Sequence, residues 1–342
     1  MRTKTFAALT IAALMLSSPI GVHADREAPS AHGHGPFAFA LIGDTPYLAS
    51  NTPNAAYPEF ERLVDAVNRD ERIRWVLHAG DIKNGSTLCS DEMYLDRLAR
   101  LNRFEAPLVY TPGDNEWTDC HRINNGQYQP LERLARLRQI FFPIPGVTTV
   151  GGAAMKVESQ GLVPGFQEFP ENVRWIHNRV VFATLHIVGS NNALAPFQAG
   201  SSAVRTAADD AEVARRDAAN LAWLHATFDR AERDDAAGVL ILIQANPGLE
   251  FDQSVADRRG FEAFLQALEN RAAAYGKPVV LAHGDSHFFR VDKPRLWNRA
   301  FPRNVTRVET FGAGNVHWVR VTVDPRADEV FRFEQRLVPG NP

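Results

Sequence analysis

The sequence predicts an α/β protein, a sheet with helices packed on it, and three observations carry that expectation. Short runs rich in Val, Ile, Leu and Phe alternate with segments whose apolar residues recur at helical spacing. The last part of the chain holds three strand-like runs with no helix between them. Four apolar runs end in the same dipeptide, Gly-Asp.

Taken in order, strands are expected at Phe37 to Ile42, Trp75 to His78, Leu108 to Tyr110, Val180 to Val188, Val239 to Ile243 and Val279 to Leu281. Runs this short and continuously apolar read as buried strands. Helices are expected around Phe60, Leu63, Val64 and Val67, around Leu131, Leu134 and Leu137, and around Phe261, Phe264, Leu265 and Leu268. In each, apolar residues three or four apart share one helix face. Val305 to Phe311, Val316 to Val323 and Val330 to Leu337 predict a second sheet or an antiparallel extension of the first. The Gly, Pro and Ser rich stretches near 143–175 and 189–207 read as insertions over one end of the sheet. No repeat or low-complexity tract marks a boundary, so residues 37–340 are expected as a single domain.

Residues 1–24 read as a signal peptide. Arg2 and Lys4 precede an apolar run from Phe6 to Leu16, and Val22-His23-Ala24 offers a cleavage point before Asp25. Ser17-Ser18-Pro19 stops the run well short of the roughly 20 residues a membrane span needs. Residues 25–36 are expected as a flexible tether. The chain is thus expected to be exported, periplasmic or extracellular, with no membrane span after cleavage. An oxidising compartment lets thiols pair, so Cys89 and Cys120, the only cysteines, are expected to form a disulfide.

The 342 residues are 45% hydrophobic and 23% charged, which excludes disorder, collagen and coiled coil. A net charge of -3 with no long Lys or Arg run gives no electrostatic support to a nucleic-acid or anionic-membrane surface. The partner expected is therefore small or neutral. A Ser-nucleophile hydrolase is disfavoured because no Gly-x-Ser-x-Gly elbow is present.

The four dipeptides are Gly43-Asp44, Gly80-Asp81, Gly113-Asp114 and Gly284-Asp285. Each Asp stands just past a strand's carboxyl end, the edge where open α/β sheets bind ligands. One such dipeptide is an ordinary turn signal; four on one edge make a site. Carboxylates held within a few ångströms cannot all ionise unaided, so the crevice calls for divalent metal, with His287 as a nitrogen ligand.

Around this crevice Lys83, His121 and Arg122 are read either as groups that grip phosphate or donate a proton, or as loop charges balancing Glu116 and Asp119. His283 points either into the sheet or toward the metals. His186, inside an apolar strand, is expected as a satisfied core histidine. Asn191 and Asn192 are turn residues first, within reach of substrate second. Trp117 either stacks on an aromatic leaving group such as a nucleobase or caps the core.

At these residues the sequence resembles the calcineurin-like metallophosphoesterases, over roughly residues 37 to 323. Asp44 matches the family's first block and Gly80-Asp81 the second. Gly113-Asp114-Asn115-Glu116 resembles the third, and Gly284-Asp285-Ser286-His287 the last. The resemblance implies a four-layer αββα sandwich of two sheets flanked by helices. It also implies a metal-dependent phosphoric-ester hydrolase holding two divalent ions and acting on a small phosphorylated, nucleotide-like substrate. Asp81 would bridge the ions, Asp44 and His287 would hold the first, and the third and fourth blocks the second. A metal-bridging hydroxide would attack phosphorus in line.

The departures from the family pattern fall on ligands. Pro46 stands where many members carry His, Asp114 where the ligand Asn would be, and Asn115 where a His assists the leaving group. Gln244-Ala245-Asn246-Pro247 follows the strand where a His is expected, leaving Asn246 as a substitute ligand, and Asp285 replaces the first His of the last block. Asp114 and Asp285 are hard oxygen donors, which favours Mg or Mn over the Fe or Zn that such sites also take. Asn115, His121 and Lys83 are the candidates for assisting catalysis. The alternative is a binding protein for phosphate, metal or a partner, on the same fold but without chemistry. A Cys89 to Cys120 bridge would join the loops carrying Asp81 and Asp114.

Overall fold

Strands that are apolar on both faces need cover on both, and two stacked sheets with helices outside supply it. The computed structural model describes residues 35–47, 52–252, 254–297 and 299–342. The expected signal peptide and all but the end of the tether lie outside the described residues. The first sheet contains β1 (Phe37–Ile42), β2 (Ile73–His78), β3 (Pro107–Tyr110) and β4 (Val150–Gly151). Then follow β5 (Glu158–Ser159), β6 (Val173–His177), β7 (Val180–Thr184), β8 (Gly238–Leu242), β9 (Val279–His283) and β10 (Arg290–Asp292) of the second. After a short ribbon of β11 (Arg295–Leu296) and β12 (Arg299–Ala300) come β13 (Val305–Glu309), β14 (Trp318–Val323) and β15 (Phe331–Arg336).

The first sheet runs β15-β14-β1-β2-β3-β4, with β1, β2 and β3 parallel. The second runs β10-β13-β9-β8-β7-β6-β5, with β7, β8, β9 and β13 parallel. Alternation along β1 decides which side each residue covers. Phe37, Phe39 and Leu41 meet Phe182, Leu240, Leu242 and Val280 of the second sheet. Ala40 and Ile42 face helices α1 (Pro58–Asn68), α2 (Asp91–Leu101) and α3 (Pro130–Phe141). Trp75 lies between the sheets, stacked on Phe39 with ring centroids 5.6 Å apart and edge-on to Phe182 at 5.2 Å. The other face of the second sheet packs on α4 (Ala207–Arg233) and α5 (Glu262–Tyr275). The result is the expected four-layer αββα sandwich.

The details that differ have local causes. Helix α2 escapes a periodicity reading because Arg97 and Arg100 are buried on its inner face, both bonded to Asp96. Helix α4 starts at a capping box made by Thr206 and Asp209. The strand expected over 180–188 ends at Thr184, although Leu185 to Val188 stay buried alongside β8. The three C-terminal runs divide between the sheets: β14 and β15 extend the first antiparallel, while β13 joins the second parallel to β9. The stretch 143–175, expected as an insertion, supplies edge strands to both sheets, β4 to the first and β5 to the second, together with β6.

Cys89 and Cys120 are disulfide-bonded, their Cα atoms 5.7 Å apart and both side chains buried. The bridge ties the segment after β2 to the short 3-10 turn Thr118–His121 after β3. It closes a loop with a sequence separation of 31, which restricts the unfolded chain. The variant carrying both Cys89→Ala and Cys120→Ala is expected to lose on the order of 3 kcal/mol of unfolding free energy. Urea unfolding measures this; midpoints that coincide with the wild type would show that the bridge adds nothing.

Candidate metal centre

The parallel strands of both sheets bring their carboxyl ends to one edge, and there the turn residues do unusual things. Asp44 (φ 52°), Asp81 (φ 55°) and Asp285 (φ 80°) are all left-handed, as is His287 (φ 61°). Asp is among the few residues that tolerate this conformation, and it turns the chain sharply as each strand ends. The paired glycines vacate space. A Cβ on Gly113 would lie 2.0 Å from Asp81 Oδ1, and one on Gly284 would lie 2.5 Å from Asp44 Oδ2. The glycine of one dipeptide therefore makes room for the carboxylate of another.

Asp81, Asp114 and Asp285 present oxygens within 4.8 Å of one another. Asp44, fully buried, lies beside them: its two oxygens accept the Asp285 backbone N–H at 2.9 and 3.1 Å, and Oδ2 accepts the Thr310 hydroxyl at 3.3 Å. His287 Nε2 is 3.6 Å from Asp44 Oδ1. Asp81 Oδ2 accepts the Tyr47 hydroxyl and the Asn115 side-chain amide, each at 2.9 Å, and Asn115 also donates to the Tyr47 oxygen at 2.7 Å. Asn246 donates its backbone N–H to Asp285 Oδ2 at 3.0 Å. Gln244 closes the ring, its Nε2 at 3.4 Å from Asp114 Oδ1.

Burial raises the Asp44 carboxyl well above its usual range, and the Asp285 charge adds to the shift. Burial does the same to Asp81, with Asp114 and Glu116 adding. Asp285 is pushed up to about 7, by burial first and by Asp114 next. Oxygen donors that are buried and also repel one another are a fitting set for a divalent cation, which offsets both costs of their charge. Asp81, Asp114 and Asp285 make up the cluster, with Asp44 held against Asp285 through the Asp285 N–H and His287 beside Asp44.

Other expected residues sit differently. Lys83 is buried, its Nζ donating to the Asn84 carbonyl at 3.0 Å; burial lowers it to about 8 against the pull of Glu116, Asp119 and Asp81. His121 holds Nδ1 2.6 Å from the Thr118 carbonyl and stacks on Phe197 with centroids 4.4 Å apart, so its contacts are not the carboxylates. His283 points into the protein, Nδ1 against the Gly284 carbonyl at 2.9 Å, and burial lowers it to about 3. Trp117 is buried and meets the His186 ring edge-on at 5.5 Å, which makes it a core residue. His186 is buried in the core as expected but only half satisfied: Nδ1 lies 2.8 Å from Glu171, which also pairs with Arg138, while Nε2 has no hydrogen-bond partner among the described residues.

Two further residues, neither expected as a ligand or catalytic group, shape the site. Glu116 is a buried hub whose Oε1 accepts Ile82 N at 3.1 Å, Gly113 N at 3.2 Å and the Tyr110 hydroxyl at 2.7 Å, joining the loops after β2 and β3. Gln244 was legible only as a polar residue ending a strand, in the manner of the Gly-Asp pairs.

The chain matches the calcineurin-like phosphoesterase family over residues 37–287. The solved structure of PhoD shares the fold at a TM-score of 0.52 and 14% identity, covering 92% of this chain and 69% of that one. The phosphopantetheinyl hydrolase PptH of Mycobacterium tuberculosis aligns at a TM-score of 0.40 and 15% identity, over 82% of this chain and 90% of that one. No curated protein matches the sequence.

The raised carboxyls have a consequence for the metal-free protein. A carboxyl whose folded pKa exceeds its unfolded value binds its proton more tightly when folded. Its contribution is complete below the unfolded value of 3.8 and is lost as pH rises through the folded one, about 7 for Asp285. Metal-stripped protein is therefore expected to melt at a higher temperature at pH 5 than at pH 8, with saturating Mg or Mn closing the gap. A higher midpoint at pH 8 without metal would contradict the repulsion described.

Proposed function

Because this chain belongs to the calcineurin-like phosphoesterase family, we propose that it is an exported, metal-dependent phosphoric-ester hydrolase acting at the crevice beyond β1, β2, β3 and β9. The observation that carries this reading is the convergence of Asp81, Asp114 and Asp285 beside Asp44 and His287. In this reading Asp44 and His287 hold one divalent ion, Asp114 and Asp285 a second, and Asp81 is shared, with Asn246 beside Asp285. The chemistry such ions would supply there is activation of a water toward phosphorus and neutralisation of charge on the phosphoryl oxygens.

The chain's own residues set the geometry. Tyr47 and Asn115 both donate to Asp81 Oδ2, which fixes the orientation of the shared carboxylate. Asn115 stands where the family's leaving-group His would be, and its amide is engaged by Asp81 and Tyr47. It orients; it does not donate a proton. Lys83, close to Glu116, Asp119 and Asp81, offsets part of the negative charge beneath the crevice. His121, the other candidate for a proton to the leaving oxygen, is engaged by the Thr118 carbonyl and Phe197 and has its pKa lowered by burial, so no general acid is assigned. Oxygen donors at Asp114 and Asp285 favour Mg or Mn. The disulfide supports export, and among the described residues no helix is long and apolar enough to cross a membrane.

The test is to measure the metal content of the protein and to screen phosphomonoesters and diesters with added Mg, Mn, Ca or Zn. Stoichiometric metal with no turnover would favour the alternative, a binding protein in which the loss of the leaving-group His has ended the chemistry.

Asp81→Asn is expected to lower turnover by more than the roughly 100-fold that losing an outer partner of a ligand costs. Near-normal turnover with full metal occupancy would remove Asp81 from the shared position. Charge gives a second expectation. Asp44, Asp81, Asp114 and Asp285 together offset two divalent cations, so a phosphate dianion is attracted less and diesters should be better substrates than monoesters. Asp114→Asn combined with Asp285→His should shift metal preference toward zinc and improve monoester relative to diester turnover. If both preferences stay where they were, charge does not set the specificity.

A further inference from the structure

Beyond β7 the chain passes through a turn that a sequence of ordinary residues should avoid. Ser190 (φ 51°, ψ 43°), Asn191 (φ 55°, ψ 46°), Asn192 (φ 54°) and Ala193 (φ 67°, ψ 14°) are left-handed in succession, and none is glycine. Asn tolerates this conformation, but Ser and Ala do not adopt it readily, and a run of four persists only where the surroundings over-determine it.

The surroundings do so from three directions. Arg216 donates to the Asn192 carbonyl at 3.1 Å and to its side-chain oxygen. The Asn192 side-chain amide donates to Asp217 Oδ1 at 2.8 Å and to the Gly260 carbonyl at 3.1 Å. Gly260 donates its N–H to Asn191 Oδ1 at 2.7 Å, and a Cβ there would lie 2.3 Å from the Asn191 carbonyl oxygen. The anchors are on α4 and just before α5, so the turn is held by the outer layer of the sandwich.

What the turn delivers is concentrated on one side chain. The Ser190 hydroxyl lies 2.8 Å from Asp114 Oδ2 and 2.9 Å from Asp119 Oδ1. Gly189 presses on Asp114 so closely that a Cβ would come within 2.6 Å of Oδ2. The Gly189 N–H holds Gln244 Oε1 at 2.7 Å, which aims the other end of that amide at Asp114 Oδ1. Unlike Asp44, Asp81 and Asp285, Asp114 is not fixed by a left-handed backbone of its own. Its neighbours Asp81 and Asp285 repel it, and an unheld carboxylate would rotate out of the crevice.

We propose that the left-handed turn is a clamp that holds Asp114 in the acidic cluster for cation binding, with Ser190 as the positioning residue. The proposal rests on the reading of the crevice as a metal centre. It assigns the strain of the turn a purpose: a hydroxyl and an amide are placed on the two oxygens of the one ligand that the local backbone leaves free.

The test is Ser190→Gly, which removes the hydroxyl and relieves the strain at φ 51° together. Metal-free protein titrated with Mn, followed calorimetrically, is expected to show affinity reduced about 10- to 100-fold. The thermal midpoint of the same metal-free variant should stay level or rise. Ser190→Ala, which keeps the strain, should lose affinity to the same extent. A turn that serves only the fold would instead leave Mn affinity unchanged in both variants, and that result overturns the clamp. Failure of the wild type itself to bind Mn, Mg or Zn would overturn the metal-centre reading, and the clamp with it.

Discussion

Repulsion among carboxylates is the constraint on which the rest of the structure depends. Asp44, Asp81, Asp114 and Asp285 occupy one crevice, and three of the four, Asp44, Asp81 and Asp285, are raised above the usual carboxyl range by burial first and by neighbouring carboxylates next. Left alone, such groups would separate, and the surrounding donors are arranged to prevent it. Backbone N–H groups reach Asp44 and Asp285, a phenol and an amide reach Asp81, and a hydroxyl and an amide reach Asp114. Hydrogen bonds from fixed donors favour a charged oxygen and hold it in place, but they cannot supply net positive charge. A divalent cation in the proposed site would supply it, which accounts for the polar structure invested in an edge that is otherwise costly.

The fold makes this arrangement available through its strand directions. Parallel strands in both sheets point their carboxyl ends the same way, so residues far apart in sequence reach a single edge. The loops that leave those ends then need tying together. Glu116 does so by accepting from Ile82, Gly113 and Tyr110, and the disulfide does so covalently between Cys89 and Cys120. Both ties connect the loops after β2 and β3, which carry Asp81 and Asp114. Folding and site geometry are thus served by the same contacts.

Much of this was legible in the sequence where a local rule decides the outcome. Continuous apolar runs fixed β1, β2, β3, β8 and β9 because a strand buried on both faces has no other reading in so short a segment. Helical spacing marked α1, α3 and α5. It failed for α2, where buried arginines bonded to Asp96 replace apolar residues, and at Ser190 to Ala193 the Asn191-Asn192 pair marks a turn but not its left-handed run. The division of the C-terminal strands between sheets was equally hidden, since β13 and β14 look alike and differ only in the strand each pairs with.

The sequence by itself determined which acids end which strands. Gly-Asp is a local pattern, and in three of the four pairs its aspartate takes the left-handed conformation that a sharp turn after the strand uses. Only the tertiary structure decided which side chains face one another. It placed Gln244 and Ser190 on Asp114, turned His283 into the protein, and set His121 against Phe197. The reason is physical: a side chain's partners depend on the packing of two sheets and five helices, and the distances that matter run between residues more than seventy positions apart.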